Sequence, residues 1–333
     1  MRHRTVFSEK GIYAGWPANH GAWQWGDEFL VGFMIGRHYE FGGAHNVRLP
    51  FLKVQARSHD GGEHWTTETP LVDFEASSTK TPPAFVLGGG TIIRVCGRYD
   101  HGGEQCVNEG GFYLSHDRGL SWKGAYSFEG LHDTFKPPNH NTSRTSGFGK
   151  QVLLSAAARD HWGSDWIFIA EHNGLSFEQK ATIVNDDARA VMPVMARLHN
   201  RLVVVARRLG TRRSGAWIDS FISDDEGVTW STGHHVGETG VYNGNPPALV
   251  EVGGLLYCAF ANRTAMSIDL MVSRDGQNWG GIATLRKGEC SDIGYPQLFK
   301  RTDGQIVCVY YWADTDEQCQ RIEATVFDPR EHV

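Results

Sequence analysis

Ser58-His59-Asp60-Gly61-Gly62-Glu63-His64-Trp65 carries a phrase, Ser-x-Asp-x-Gly-x-x-Trp, that returns as Ser115-His116-Asp117-Arg118-Gly119-Leu120-Ser121-Trp122 and as Ser223-Asp224-Asp225-Glu226-Gly227-Val228-Thr229-Trp230. A copy one residue short reads Ser273-Arg274-Asp275-Gly276-Gln277-Asn278-Trp279. A worn copy, Ala170-Glu171-His172-Asn173-Gly174-Leu175-Ser176-Phe177, keeps the glycine and an aromatic. Successive copies begin roughly 50 to 57 residues apart, the period of a repeat architecture. Each suits a tight turn between two strands. The Asp carboxylate accepts from nearby backbone N–H groups, the glycine supplies positive φ, and the tryptophan covers the turn.

Composition agrees with many short strands: the 333 residues include 40 Gly, 17 Phe and 11 Trp, and helical periodicity is weak throughout. No linker-like or low-complexity stretch interrupts the chain, so residues 1–333 read as a single all-β domain. A formal charge of -6 and no basic run argue against a nucleic-acid partner. The start, Met1-Arg2-His3-Arg4-Thr5-Val6, lacks the apolar run of a signal peptide and no segment is long and apolar enough for a membrane span, which predicts a soluble cytoplasmic protein. The cysteines at 96, 106, 258, 290, 308 and 319 lack metal-ligand spacing and read as reduced thiols. No His-x-x-His or Asp/His cluster marks a zinc site, and no metal or cofactor is expected, with a structural Ca²⁺ left open. Oligomeric state is not legible.

The repeated phrase resembles the Asp-box, and repeated Asp-boxes are similar to those of the sialidase superfamily of β-propellers. The resemblance covers nearly the whole chain and implies a six-bladed propeller of four-stranded antiparallel blades, 333 residues divided by a period of about 55. The last repeat lacks the phrase. Its strand Ile322-Glu323-Ala324-Thr325-Val326-Phe327 is expected to close the ring by pairing near the N-terminus.

A second register runs through the repeats. Apolar strands end in arginine at Arg37, Arg98, Arg159, Arg207-Arg208 and Arg263, and the last repeat ends the same strand at Tyr310-Tyr311-Trp312. If these are second strands, their ends lie on the rim opposite the phrase turns. Arginines gathered on one rim suit a carboxylate, which a guanidinium holds through two parallel charge-assisted bonds. The alternative is that each pairs with a local acid and ties the rim. First strands enter from that rim and several open on proline, at Trp16-Pro17, Pro82-Pro83, Met192-Pro193, Asn245-Pro246 and Tyr295-Pro296. Neighbouring polar residues Asn19, His20, Asn243, Asn245, Asp292 and Tyr295 would line the same mouth.

Sialidases, by the resemblance, hold a substrate carboxylate with three arginines, use a tyrosine paired with a glutamate as nucleophile and an aspartate as acid/base. Tyr295 is similar in place to that tyrosine, Arg208 and Arg263 to two of the arginines, and Arg37 to a supporting one, with Arg98 a further candidate. The chain departs from the pattern in three places. The first repeat opens Gly15-Trp16-Pro17 where an arginine belongs, Ala190-Val191-Met192-Pro193 offers no glutamate, and His45 stands near the expected aspartate. Asp292 is then the candidate partner of Tyr295, and His45 or Asp100 the candidate proton donor. Three readings follow for a glycan partner: an exo-acting glycosidase on an acidic sugar, a lyase using a Tyr/His pair on a uronate, or a non-catalytic carbohydrate-binding propeller.

Overall fold

The computed structural model describes residues 1–40, 45–73, 83–96, 111–131, 144–148, 151–159, 165–210, 215–240 and 244–332. They form a β-propeller in which helix is almost confined to the single turn Pro17–His20 and the short 3₁₀ segment Pro329–Glu331. Antiparallel meanders make the repeating unit. Arg189–Leu198, Arg201–Leu209, Ala216–Ser223 and His234–Gly240 form one, and Ala248–Val252, Leu255–Asn262, Ser267–Ser273 and Gly280–Lys287 the next.

The expectation of six four-stranded blades is corrected. Among the described residues five sheets have four strands, and the sheet nearest the N-terminus has five. In it, Ile12–Gly15 and Ala22–Trp25 pair with opposite ends of the 11-residue strand Glu28–His38, with the helical turn Pro17–His20 between them. Gly32 makes room for that turn, because a Cβ there would come within 2.5 Å of the His20 carbonyl oxygen. Another sheet departs in order: Leu71–Asp73 joins Ser121–Tyr126 in parallel. The chain ends meet as expected, Arg2–Phe7 pairing antiparallel with Arg321–Phe327.

The repeated phrase makes the same turn four times, each joining two consecutive strands of one sheet. The serine hydroxyl donates to the aspartate two residues on and accepts from the glycine N–H, at 2.9 and 2.8 Å in the Ser58 turn and 2.8 and 2.7 Å in the Ser223 turn. The aspartate accepts a backbone N–H four residues on, from His64 and from Thr229, both at 2.9 Å. These bonds favour the ionised carboxylate. For Asp60 and Asp275 slight burial raises the pKa, but the N–H groups of His64 and of Asn278 outweigh it and both carboxyls sit at about 2; Asp225, bonded first by the Thr229 hydroxyl, sits there too. A carboxyl depressed on folding contributes stability that is complete above its unfolded value of about 4 and is lost as pH falls toward 2. The urea midpoint is therefore expected to be level from pH 6 to 5 and to drop between pH 4 and 2.5. A level midpoint down to pH 2.5 would contradict this account of the turns.

Strands in such a ring pack on both faces, so alternate residues of one strand enter different clusters. Leu202, Val204 and Ala206 pack with Ile167 and Ile169 of the preceding sheet, while Val203 and Val205 pack with Leu256 and Phe260 of the following one. The connections from second to third strands emerge on the rim opposite the phrase turns, bringing His45 and Arg263 to the same side. Cys258, Cys290 and Cys308 are buried free thiols. Among the described residues no helix is long and apolar enough to cross a membrane.

Candidate active site

Three prolines expected to open first strands stand inside a strand or at the helical turn, and share a backbone feature that the sequence conceals. Trp16, Met192 and Tyr295, each immediately before a proline, have φ of 56°, 54° and 51°. A residue before proline normally takes extended geometry, and a left-handed non-glycine residue costs on the order of 1–3 kcal/mol. The ladder skips at two of these places, between Val191 and Val194 and between Gly294 and Gln297, and breaks into the helical turn at the third. Packing offsets the cost: the three side chains share one buried cluster with Tyr13 and Tyr311. Asn245 fixes the Tyr295 bulge, its Oδ1 accepting the Tyr295 N–H at 2.7 Å and its Nδ2 donating to the Ile293 carbonyl at 2.9 Å. It supports the site from within the backbone, correcting its expected role on a ligand.

Asp292 lies at the centre, 5% exposed. Its Oδ1 accepts from the Tyr311 hydroxyl at 2.7 Å and lies 2.9 Å from His45 Nδ1; its Oδ2 accepts the His45 backbone N–H at 2.8 Å and the Tyr13 hydroxyl at 3.2 Å. Arg263 Nη2 stands 3.7 Å away and donates to Tyr311 at 2.8 Å. Burial by itself would raise the Asp292 carboxyl, but the hydrogen bond and charge of His45, followed by the Arg263 charge and the Tyr311 hydroxyl, hold it at about 2. Tyr13 and Tyr311 move the other way, well above the ordinary phenol value, through burial and the Asp292 charge. Asp292 is thus an anion at neutral pH, with both oxygens accepting hydrogen bonds. Its hydrogen bonds go to His45 and the two buried tyrosines, which corrects the expectation that it partners Tyr295.

His45 is held on both sides. Its backbone is left-handed, φ 63°, which lets N–H and Nδ1 reach the same carboxylate, and the Trp16 ring meets its imidazole edge-on at a centroid distance of 5.0 Å. With the Nδ1 proton directed to Asp292, Nε2 is the ring nitrogen turned away from that carboxylate.

Arg207 and Arg208 point to different faces, as neighbours in a strand must. Arg208, expected on the ligand, is 3% exposed and bound to Asp186 Oδ1 at 2.5 Å and the Ala188 carbonyl at 3.2 Å, with Asp219 3.8 Å from its Nε. It ties the connection that carries Asp186 and Ala188 to the strands Arg201–Leu209 and Ala216–Ser223. Arg207 instead reaches the Tyr295 hydroxyl and feels the charges of Arg263 and Arg189. Burial lowers its pKa, the Tyr295 hydroxyl opposes that, and the two arginines add to the lowering. Its Nε is buried without a hydrogen-bond partner, yet part of the residue still meets solvent.

The structure therefore brings together Tyr295, His45, Asp292 and Arg263 of the expected residues, and adds Tyr13, Tyr311, Arg207 and Arg189. Arg37 is exposed at the end of its strand, opposite Arg48 in the ladder. His20 is buried in the helical turn against Gly32. Asn19, 7% exposed, lines an axial cavity of about 170 Å³ with Trp23, Arg94, Met195, Leu249 and Gln297. Arg98, Asp100 and Asn243 lie outside the described residues. Among the described residues no cluster of three or more His, Cys, Asp or Glu could hold a metal ion.

The model of the BNR repeat-like domain family matches residues 41–308. The chain belongs to that family. No curated protein matches it. Among solved structures, this BNR repeat-like chain is similar to a protein of unknown function from Dyadobacter fermentans, with 17% identity, a TM-score of 0.73 and 97% of each chain covered. It is also similar to an α-L-arabinanase from Penicillium chrysogenum complexed with arabinobiose, at 15% identity and a TM-score of 0.66 over 100% of this chain and 99% of that one. A sialidase from Trypanosoma rangeli in complex with an inhibitor gives 13% identity and a TM-score of 0.62 over 93% of this chain and 54% of the sialidase. At these identities the likeness is one of fold.

Proposed function

We propose that this protein is a glycoside hydrolase acting on a glycan that carries an anionic sugar. The observation that carries the reading is Arg207, which forms no ion pair with an acid among the described residues and stands beside the like charges of Arg263 and Arg189. Like charges gathered at a partly open site are stabilised by an anion that is not part of the chain. Glycosidases and an arabinanase among proteins of similar fold support the reaction class. Arg207 and Arg263 take the carboxylate, His45 transfers the proton through Nε2, and Asp292 keeps its imidazole in the productive tautomer. The Tyr295 hydroxyl, beside the Arg207 cation, faces the developing oxocarbenium charge as nucleophile or stabiliser. Arg98, Asp100 and Asn243 stay candidates for the same mouth.

A second reading is favoured by one observation: both oxygens of Asp292 are engaged by Tyr13, Tyr311 and His45, so it does not serve as one of the two reacting carboxylates of the usual glycosidase arrangement. A His–Asp pair beside arginines also suits removal of a proton α to a uronate carboxylate, followed by β-elimination. Incubation with sialosides and with uronate-containing oligosaccharides distinguishes the two. Release of an intact acidic sugar without ultraviolet absorbance is the expected result, and absorbance from an unsaturated product would establish the lyase. Binding with neither product would leave a carbohydrate-binding propeller.

A further inference from the structure

One continuous chain of contacts joins the anion-binding side of the site to its proton-transferring side. Arg263 Nη2 donates to the Tyr311 hydroxyl at 2.8 Å, Tyr311 donates to Asp292 Oδ1 at 2.7 Å, and that same oxygen is 2.9 Å from His45 Nδ1. The carboxylate is fixed from its other oxygen by Tyr13 and the His45 N–H, so it cannot turn away from either neighbour. Among the described residues, the titratable and charged groups around His45 include Asp292, Tyr13, Tyr311 and Arg263. Burial weakens solvent screening, so a change of charge at one end is felt at the other.

We propose that Tyr311 is a positioning residue that couples anion binding at Arg263 to protonation of His45. The proposal rests on the roles given above to Arg263 and His45. With no anion bound, Arg263 opposes the Asp292 charge directly across 3.7 Å and also through Tyr311, whose O–H becomes a stronger donor by accepting a guanidinium N–H. An imidazolium at His45 then faces a carboxylate already partly compensated. A substrate carboxylate on Arg263 cancels that compensation, Asp292 acts more fully on His45, and the proton affinity of the imidazole rises. By linkage, protonated His45 strengthens anion binding by the same factor. The consequence is selectivity in turnover: an acidic sugar meets a loaded acid, whereas a neutral sugar that fits the site meets a neutral imidazole. A neutral analogue then loses kcat as well as affinity.

The test is a histidine NMR titration of the full chain, with the His45 signal identified by its loss in His45→Gln, run with glucuronate, N-acetylneuraminate or neutral glucose. Either acid is expected to raise the His45 pKa by about one unit, and its own affinity to rise about tenfold as pH falls across that titration. Glucose should leave the pKa in place. In Tyr311→Phe the acid should still bind, with less than half of the shift. Binding of an acid without movement of the His45 pKa would overturn the coupling and leave the anion site standing. Failure of both acids to bind would overturn the anion site and the coupling with it. A full shift in Tyr311→Phe would show that Tyr311 is not the link. If that variant does not fold, the pH dependence of acid binding to the unaltered protein still decides the coupling.

Discussion

Asp292→Asn is expected to lower turnover of an acidic glycan by about 10³-fold, the scale of general acid–base catalysis. The carboxylate accepts on both oxygens, from Tyr13, Tyr311 and His45. An amide in the same place must present an N–H to one of these donors or to His45 Nδ1, and a donor facing Nδ1 forces the imidazole into the other tautomer, with the proton on Nε2. Stability should also fall, by up to about 3 kcal/mol, because Arg263 loses the buried charge beside it. Chemical denaturation separates the two effects: a folded Asp292→Asn variant with activity within tenfold of the parent would remove His45 from the proton-transfer role.

The propeller was legible because its turns are made of residues with narrow physical uses. A serine, an aspartate and a glycine in fixed spacing accept and donate within one loop, and each of the four well-kept copies forms that loop. The rim was legible for a related reason, since strand topology puts alternate connections at opposite ends. What remained hidden was facing. In a one-sided sheet, polarity alternates and reveals which neighbour points inward, but the strand Arg201–Leu209 is packed on both faces and its run over residues 202–206 is unbroken apolar, so Arg207 and Arg208 look equivalent in sequence. Likewise Tyr310, Tyr311 and Trp312 are all completely buried, yet only the middle one turns toward Asp292 while Tyr310 bonds Thr325. The left-handed turns at Trp16, Met192 and Tyr295 were invisible for the opposite reason: a residue before proline is expected to be extended. The pairing of His45 with Asp292 spans 247 positions and leaves no local trace.

The two faces of that arginine strand also yield the second large effect. Arg207→Leu is expected to raise KM for an acidic substrate about 100-fold and to stabilise the unliganded protein by about 1 kcal/mol. The first expectation follows from losing a guanidinium group beside Tyr295, since charge-assisted bonds to a carboxylate are each worth about 1.5–3 kcal/mol. The second follows from removing a partly desolvated cation that stands beside Arg263 and Arg189 without an acid partner among the described residues. A leucine keeps much of the apolar stem that packs in the strand, and relief of like-charge repulsion outweighs the lost attraction to the Tyr295 hydroxyl. Arg208→Leu is the internal control. It breaks the ties to Asp186 and Asp219 and should destabilise the protein with little change in KM. If Arg207 were a structural tie of the same kind, both variants would lose stability together and KM would move in neither. Thermal denaturation and steady-state kinetics on the two variants therefore test which face of the strand the ligand meets, and opposite signs of the stability change are the signature of a cation kept for an anion rather than for the fold.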